Sequence, residues 1–309
     1  MINDEMYLNF ENIYKDYERI VKNPQPRLLL TMDKMYEEIL EEYSDTNNII
    51  SICSFDELIC LKDCTSKDYK LPSTDIEFLL ENKHLLKTYP NVNMNNKICE
   101  LINIALKTID DKQIKHNDKI NYFILGYIRV MGILSINEVT TLLVKEKYFD
   151  NEELALTYIK NNKFFNYYAK FENDNIRWRD YENYAIEELI ENKKDVEHFS
   201  LNEIDEPLYS RIFEKGFDYK NPYIKTMLDE LNKYPTLFAL LNKNLNNCIL
   251  TGSDRSVILK ELKKFDQLVK IDNIVKLNSI ILEAIDNSPS GYLFGLTPAE
   301  YEIKLKGLC

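Results

Sequence analysis

The chain has 309 residues, 45% of them hydrophobic and 29% charged, with a net charge of −12. A length of this order suits two or three compact units rather than a single core. The acidic excess disfavours a general grip on nucleic-acid phosphates, which needs surplus Lys and Arg, and seven glycines with nine prolines are too few for a turn-rich all-β protein.

No apolar run approaches the roughly 20 residues of a membrane span. Cysteines stand at 53, 60, 64, 99, 248 and 309. The start, "MINDEMYLNF", has neither the basic nor the apolar region of a secretory leader, so the expectation is a cytoplasmic protein with free thiols and no membrane partner.

The first 45 residues read as helix. "TMDKMYEEILEEY" sets Met32, Met35, Tyr36, Ile39 and Leu40 on one stripe, with acids opposite. After "DTNN", Ile49 to Cys53 suits a short strand. Ser54 and Glu57 form a capping box that starts a helix near Phe55. Thr74 and Glu77 offer a second box for "DIEFLLENKHLL", an extended "LKTYPNV" follows, and a further helix spans about 95–108. This defines a first unit, 1–112, helical and winged-helix-like.

Residues 113–196 form a second unit with clearer grammar. "KINYFILGYIRVM" is an apolar helix stopped by Gly132. Ser135 with Glu138 boxes "INEVTTLLVKE", and Asp150 with Glu153 boxes "NEELALTYIKNN". "FFNYYAKFE" reads as extended, Asn173 to Asn175 turn the chain, and "IRWR" returns as a strand. Three helices and a hairpin give the winged helix-turn-helix order.

From Tyr181 onward the pattern is helical nearly to the end. Ser200 with Glu203, and Asn221 before Pro222, mark helix starts. "PTLFALLNKNLNN", "DRSVILKELKKFDQLVK" and "IDNIVKLNSIILEAIDN" carry apolar stripes. Thr297, Pro298 and Glu300 open a final short helix. The third unit, 197–309, is a C-terminal helical array with a docked tail. The fold class is mainly α: one or two winged-helix-like units with short β-hairpins, then the array.

"FILGYIRVMGILSINEVTTLL", "YIKNNKFFNYYAKFENDNIRW", "SFDELICLK…LLENKHLLK" and the tail "GYLFGLTPAEY" together resemble uncharacterised proteins of low-GC Gram-positive bacteria (Firmicutes) and of their phages or mobile elements. Some of these are labelled as similar to the N-terminal region of the terminator Rho, or as carrying a SEC-C motif. The resemblance implies helical modules with no assigned activity. The SEC-C cysteine cluster is missing here, since the chain closes on the single Cys309.

The candidate sites follow from residue type. In a winged helix the element at about 150–163 would meet the groove. It opens with Asp150, Glu152 and Glu153 and has no Arg, the commonest base reader. Residues 119–195 hold 11 Lys and Arg against 13 Asp and Glu, a net −2. Opposing this, Lys160, Lys163, Lys170, Arg177, Trp178 and Arg179 would form a basic, aromatic nucleic-acid surface. The alternative use of that hairpin is packing, with its aromatics on the helices and its arginines facing water. Cys53, Cys60 and Cys64 with His84 lack zinc-site pairing, and no catalytic motif occurs. "TGSDRS" at 251–256 reads as a helix cap at Ser253 or Asp254, or as an anion site. Tyr292 and Phe294 in the apolar tail either dock on their own chain or hold a partner.

The sequence therefore predicts a non-enzymatic cytoplasmic interaction protein with no cofactor and no metal. It binds a protein partner through an acidic helical surface, for example a nucleic-acid-handling protein with a positive groove. A winged-helix nucleic-acid-binding regulator is the alternative, and an enzyme with a dispersed site the second alternative.

Overall fold

The computed structural model describes residues 4–64, 83, 85, 96–107, 109–199 and 204–307. Among them are sixteen α-helices and one three-stranded antiparallel sheet, and they gather into two compact units. The first unit comprises 1–119 with 157–167, and the second 120–156 with 168–309.

In the first unit, α1 (Asp4–Ile20) packs on α2 (Met32–Ser44), with a 3-10 turn at Arg27–Leu29 between them. Thr31 caps α2 by accepting the Lys34 N–H. Met35, Ile39 and Tyr43, spaced by four, are its buried stripe. Residues 46–52 form α3 (Thr46–Ile52), not the strand expected at 49–53. The reason is local and tertiary at once. The Asp45 side chain accepts the Asn47 N–H and nucleates the turn, and helical spacing puts Ile49 and Ile52 together in the core. The Ser54–Glu57 box holds: the Ser54 N–H donates to Glu57 and the Glu57 N–H to Ser54 Oγ, opening α4 (Phe55–Cys64). Helix α5 (Asn96–Ala105) lies on α2, α3 and α4. The expected box at Thr74 and Glu77, the helix 75–86 and the extended 86–92 lie outside the described residues, apart from Lys83 and Leu85.

Helix α6 (Asp111–Met131) begins in the first unit and ends in the second, where Gly132 (φ 74°) stops it, its N–H reaching Ile128 O. Then follow β1 (Ile133–Ser135), α7 (Ile136–Lys145), α8 (Glu152–Asn161), α9 (Lys163–Tyr168), β2 (Ala169–Glu172) and β3 (Asn175–Trp178). The Ser135–Glu138 box is complete, whereas α8 takes its cap from Asn151, one residue after the expected Asp150. The aromatic run 164–168 is helical rather than extended. Asn162 accepts the Phe165 N–H, and the short turn buries Phe164, Phe165 and Tyr167. The strands lie in the order β1-β3-β2, with Lys170 opposite Arg177 and Glu172 opposite Asn175. Asn173, at φ 53°, makes the two-residue turn.

The rest of the second unit is α10 (Asn183–Lys194), α11 (Glu206–Lys215), α12 (Pro222–Leu231), α13 (Pro235–Thr251), α14 (Ser256–Asp266), α15 (Ile274–Asp286) and α16 (Pro298–Leu305). Asn221 caps α12 ahead of its first-turn proline, as expected. Helices α12 to α15 share one apolar core around Leu241, Leu245, Leu262 and Ile281. Ser200 and Glu203 lie outside the described residues, and Asp205 caps α11. The tail loop returns onto this unit: the Tyr292 N–H donates to Leu250 O, and Leu293 and Leu296 are buried.

Candidate functional site

The hairpin is the first place to test a functional surface. Its two-residue turn sets Glu172 diagonal to Arg177 and two residues from Lys170, within reach of both. Lys170 Nζ lies 2.8 Å and Arg177 Nε 3.1 Å from Glu172 Oε1. Arg177 Nη1 also donates to Asn183 Oδ1 at 2.8 Å. The Lys170 hydrogen bond holds the Glu172 carboxyl below its ordinary pKa; burial, the next influence, pushes the other way, and the Arg177 and Lys170 charges add to the lowering. Arg177 does not face water as the packing alternative expected: only 8% of it is exposed. Its strand is the central one of the sheet, so its side chain crosses a covered face.

Trp178 is 5% exposed. Its ring stacks on Tyr168 at 5.9 Å, meets Phe213 edge-on at 6.3 Å, and carries the Arg129 guanidinium at 5.3 Å. A base has no open face of this indole to stack on. Arg179 is half-buried and its backbone N–H donates to Tyr168 O. The structure thus brings Lys170 and Arg177 together, but around an acid.

The remaining cations of the proposed surface belong to the first unit. Lys160 is exposed in the last turn of α8. Lys163 donates to Asn48 Oδ1 at 2.7 Å and stands 3.8 Å from Glu42. At the start of α8, Glu152 and Glu153 sit in the first turn, where the helix dipole favours them, and Glu152 accepts the Thr141 hydroxyl at 2.7 Å.

In the tail, Tyr292 lies against Gly252 and packs beside Leu250. Phe294, at φ 55°, meets the His198 ring edge-on at 4.3 Å and Lys193 Nζ at 5.4 Å. Burial pulls the Lys193 amine down to about 8, and Nζ donates to Met131 O at 3.3 Å. At "TGSDRS", helix α14 starts at Ser256 and Asp254 accepts its N–H at 2.8 Å, so Asp254 is engaged in the turn.

One cluster was missed in sequence. Lys83 and Glu57, 26 residues apart, form a sealed ion pair of 2.6 Å. Tyr43 donates its hydroxyl to Lys83 O, and the Lys83 ammonium lies 5.2 Å from the Phe164 ring and 5.3 Å from the Tyr167 ring. The Cys53 thiol is also buried, and burial pushes its pKa well up. Cys60 and Cys248 are buried and in no disulfide, while His84 lies outside the described residues, as does the Cys64 side chain. Among the described residues no three His, Cys, Asp or Glu side chains are grouped to hold a metal ion.

A cleft of about 470 Å³, part of it open to solvent, lies in the second unit among Arg129, Tyr181, Asp218 and Ser288. No family model matches the chain, and neither a curated protein nor a solved structure matches it. No described helix is long and apolar enough to cross a membrane.

Proposed function

We propose that the chain is a non-enzymatic interaction protein whose acidic helical surface binds a basic protein partner, of the kind whose positive groove handles nucleic acid. The reading includes a phage or mobile-element origin within the Firmicutes and a cytoplasmic setting. It treats the segment from α6 to β3 as winged-helix-like, a view supported by the helix–strand–helix–helix–strand–strand order and the β1-β3-β2 sheet, with the short α9 inserted.

The observation that carries it is the occupation of the hairpin's cations. Lys170 and Arg177 converge on Glu172, and Trp178 is covered by its own unit. A groove reader needs guanidinium and indole groups turned outward. Acids, by contrast, are exposed: Glu37 and Glu41 lie one turn apart on α2, and Glu152 and Glu153 open α8. Complementary charge of this kind steers a basic partner and sets its on-rate.

The test has two arms. Labelled duplex and single-stranded DNA are titrated at low salt, with no anisotropy change expected. Immobilised chain is exposed to a nuclease-treated lysate of a low-GC bacterium. The expected capture is a discrete basic protein, released by salt and lost with Glu37→Lys/Glu41→Lys. Retained DNA, or a captured protein indifferent to the charge reversal, overturns the proposal.

A further inference from the structure

The cleft of the second unit forms where four helices end: α6, α11, α13 and α15 all supply residues to its wall from their last turns or just beyond. Helix C-termini offer carbonyls and a partial negative charge. Here those carbonyls already accept hydrogen bonds. Ile212 O takes the Gly216 N–H at 2.9 Å, Arg129 O the Tyr181 hydroxyl at 2.8 Å, and Leu250 O the Tyr292 N–H at 2.9 Å.

Arg129 is the charged donor in this wall, and it differs from other arginines of the chain. Arg27, Arg177, Arg211 and Arg255 each reach a carboxylate. Arg129 has no such partner among the described residues. Its Nη1 makes two long contacts, 3.4 Å each, to Ile212 O and Phe213 O. The acid that shares the cleft, Asp218, is held elsewhere, by Arg211 at 2.6 Å and the Lys220 N–H at 3.3 Å. Capping the end of α11 takes one nitrogen of a five-donor fork, and the Tyr181 hydroxyl stands within hydrogen-bond reach of the same side chain. Beside Nη2 the space is kept by Gly216, at φ 81°, where a Cβ would stand 3.0 Å from that nitrogen. Ile212, Ile224 and Ile249 line the same cleft. Concave sites with apolar walls and a few placed polar groups are where small molecules bind.

We infer that this cleft binds a small carboxylate with a short branched apolar tail, its acid group paired with Arg129 and its tail against Ile212, Ile224 and Ile249. A planar carboxylate matches the guanidinium fork in shape and charge. This inference is independent of the partner-binding surface proposed above.

The probe is 3-methylbutyrate, with 3-methylbutan-1-ol as its uncharged counterpart. The reporter is the fluorescence of Trp178, the single Trp of the chain, whose ring lies 5.3 Å from the guanidinium. A saturable change with the acid and none with the alcohol at the same concentrations is expected. Arg129→Met and Ile249→Phe should each weaken the acid at least about tenfold, consistent with losing a charge-assisted pair or the tail's space. Ile249→Phe leaves the α11 cap intact, so it decides the matter if Arg129→Met does not fold. No saturable change in the wild-type chain, equal binding of acid and alcohol, or undiminished binding by a folded variant overturns the site.

Discussion

Lys83 Nζ stands 2.6 Å from Glu57 Oε1, and both side chains are sealed from water. Burial alone would pull the lysine's pKa down. The Glu57 charge, joined by Cys53, Tyr167 and the Glu57 hydrogen bond, outweighs it, and the ammonium ends with a raised pKa. Glu57 spends its other oxygen on the Ser54 N–H at 2.6 Å, so the same carboxylate starts α4 and neutralises a buried cation. Removing one partner strands a charge in the core, whereas removing both removes the desolvation as well. Lys83→Met should cost about 3–5 kcal/mol in urea unfolding. Lys83→Met/Glu57→Gln should recover a large part of that loss, since the amide keeps an oxygen for Ser54. Additive losses in the double-mutant cycle would show that the pair is not coupled.

A second carboxyl near this pair gives a pH dependence with a definite sign. Burial pushes the Asp118 carboxyl up to about 7. The Phe55 N–H, 2.7 Å from Oδ2, lowers it, Glu57 and Asp56 raise it further, and Lys83 opposes them. Unfolded, it titrates near ~3.9. Between those values the folded chain holds the proton more tightly. The residue's contribution is therefore complete below about pH 4 and is lost as pH rises through about 7. Asp118→Asn keeps an acceptor for Phe55 and removes the titration. Urea midpoints should shift in the variant's favour as pH is raised across that window, and a difference that stays constant would refute the assignment.

Much of this architecture is written locally. Ser54 with Glu57, Ser135 with Glu138, Thr297 with Glu300, and Asn221 before Pro222 all start helices where their spacing says. What misled was β-propensity. "IISIC" and "FFNYY" are β-branched or aromatic, yet Asp45 and Asn162 cap both runs into helix, and burial favours that spacing. The Glu172 clamp was latent in the two-residue turn, because register fixes the diagonal neighbours of Arg177. The Lys83–Glu57 pair left no such trace, since nothing local links residues 26 apart. The grouping of 157–167 with 1–119 is equally non-local.

Gly126 of α6 faces the backbone of Tyr209 in α11, and an added Cβ would fall on the Tyr209 carbonyl well inside van der Waals contact. Tyr209 cannot easily retreat, because its ring is wedged edge-on against Phe123 at 6.4 Å and Tyr127 at 4.9 Å. In an exposed helix Gly→Ala would stabilise by up to about 1 kcal/mol. Here overpacking dominates, and Gly126→Ala should lower stability by about 1–3 kcal/mol net. Thermal unfolding followed by circular dichroism measures it. A Tm at or above that of the unmodified chain would mean the two helices separate more freely than their backbone approach implies.

Trp178 separates the two readings of the hairpin without any mutation. Its indole is covered by Tyr168, Phe213 and Arg129, and 5% of it is exposed. Emission should therefore be blue-shifted and resistant to iodide, and should turn red and quenchable on unfolding. Because it is the single Trp, the signal reports this ring alone. If bases stacked on the hairpin, single-stranded DNA at low salt would quench it, since aromatic stacking is the main sequence-tolerant contact in such binding. The covered ring predicts no quenching by DNA. Concentration-dependent quenching that salt reverses would instead mean that the indole leaves Tyr168 to meet a base, and that the nucleic-acid-binding alternative describes this surface better than the protein-binding one.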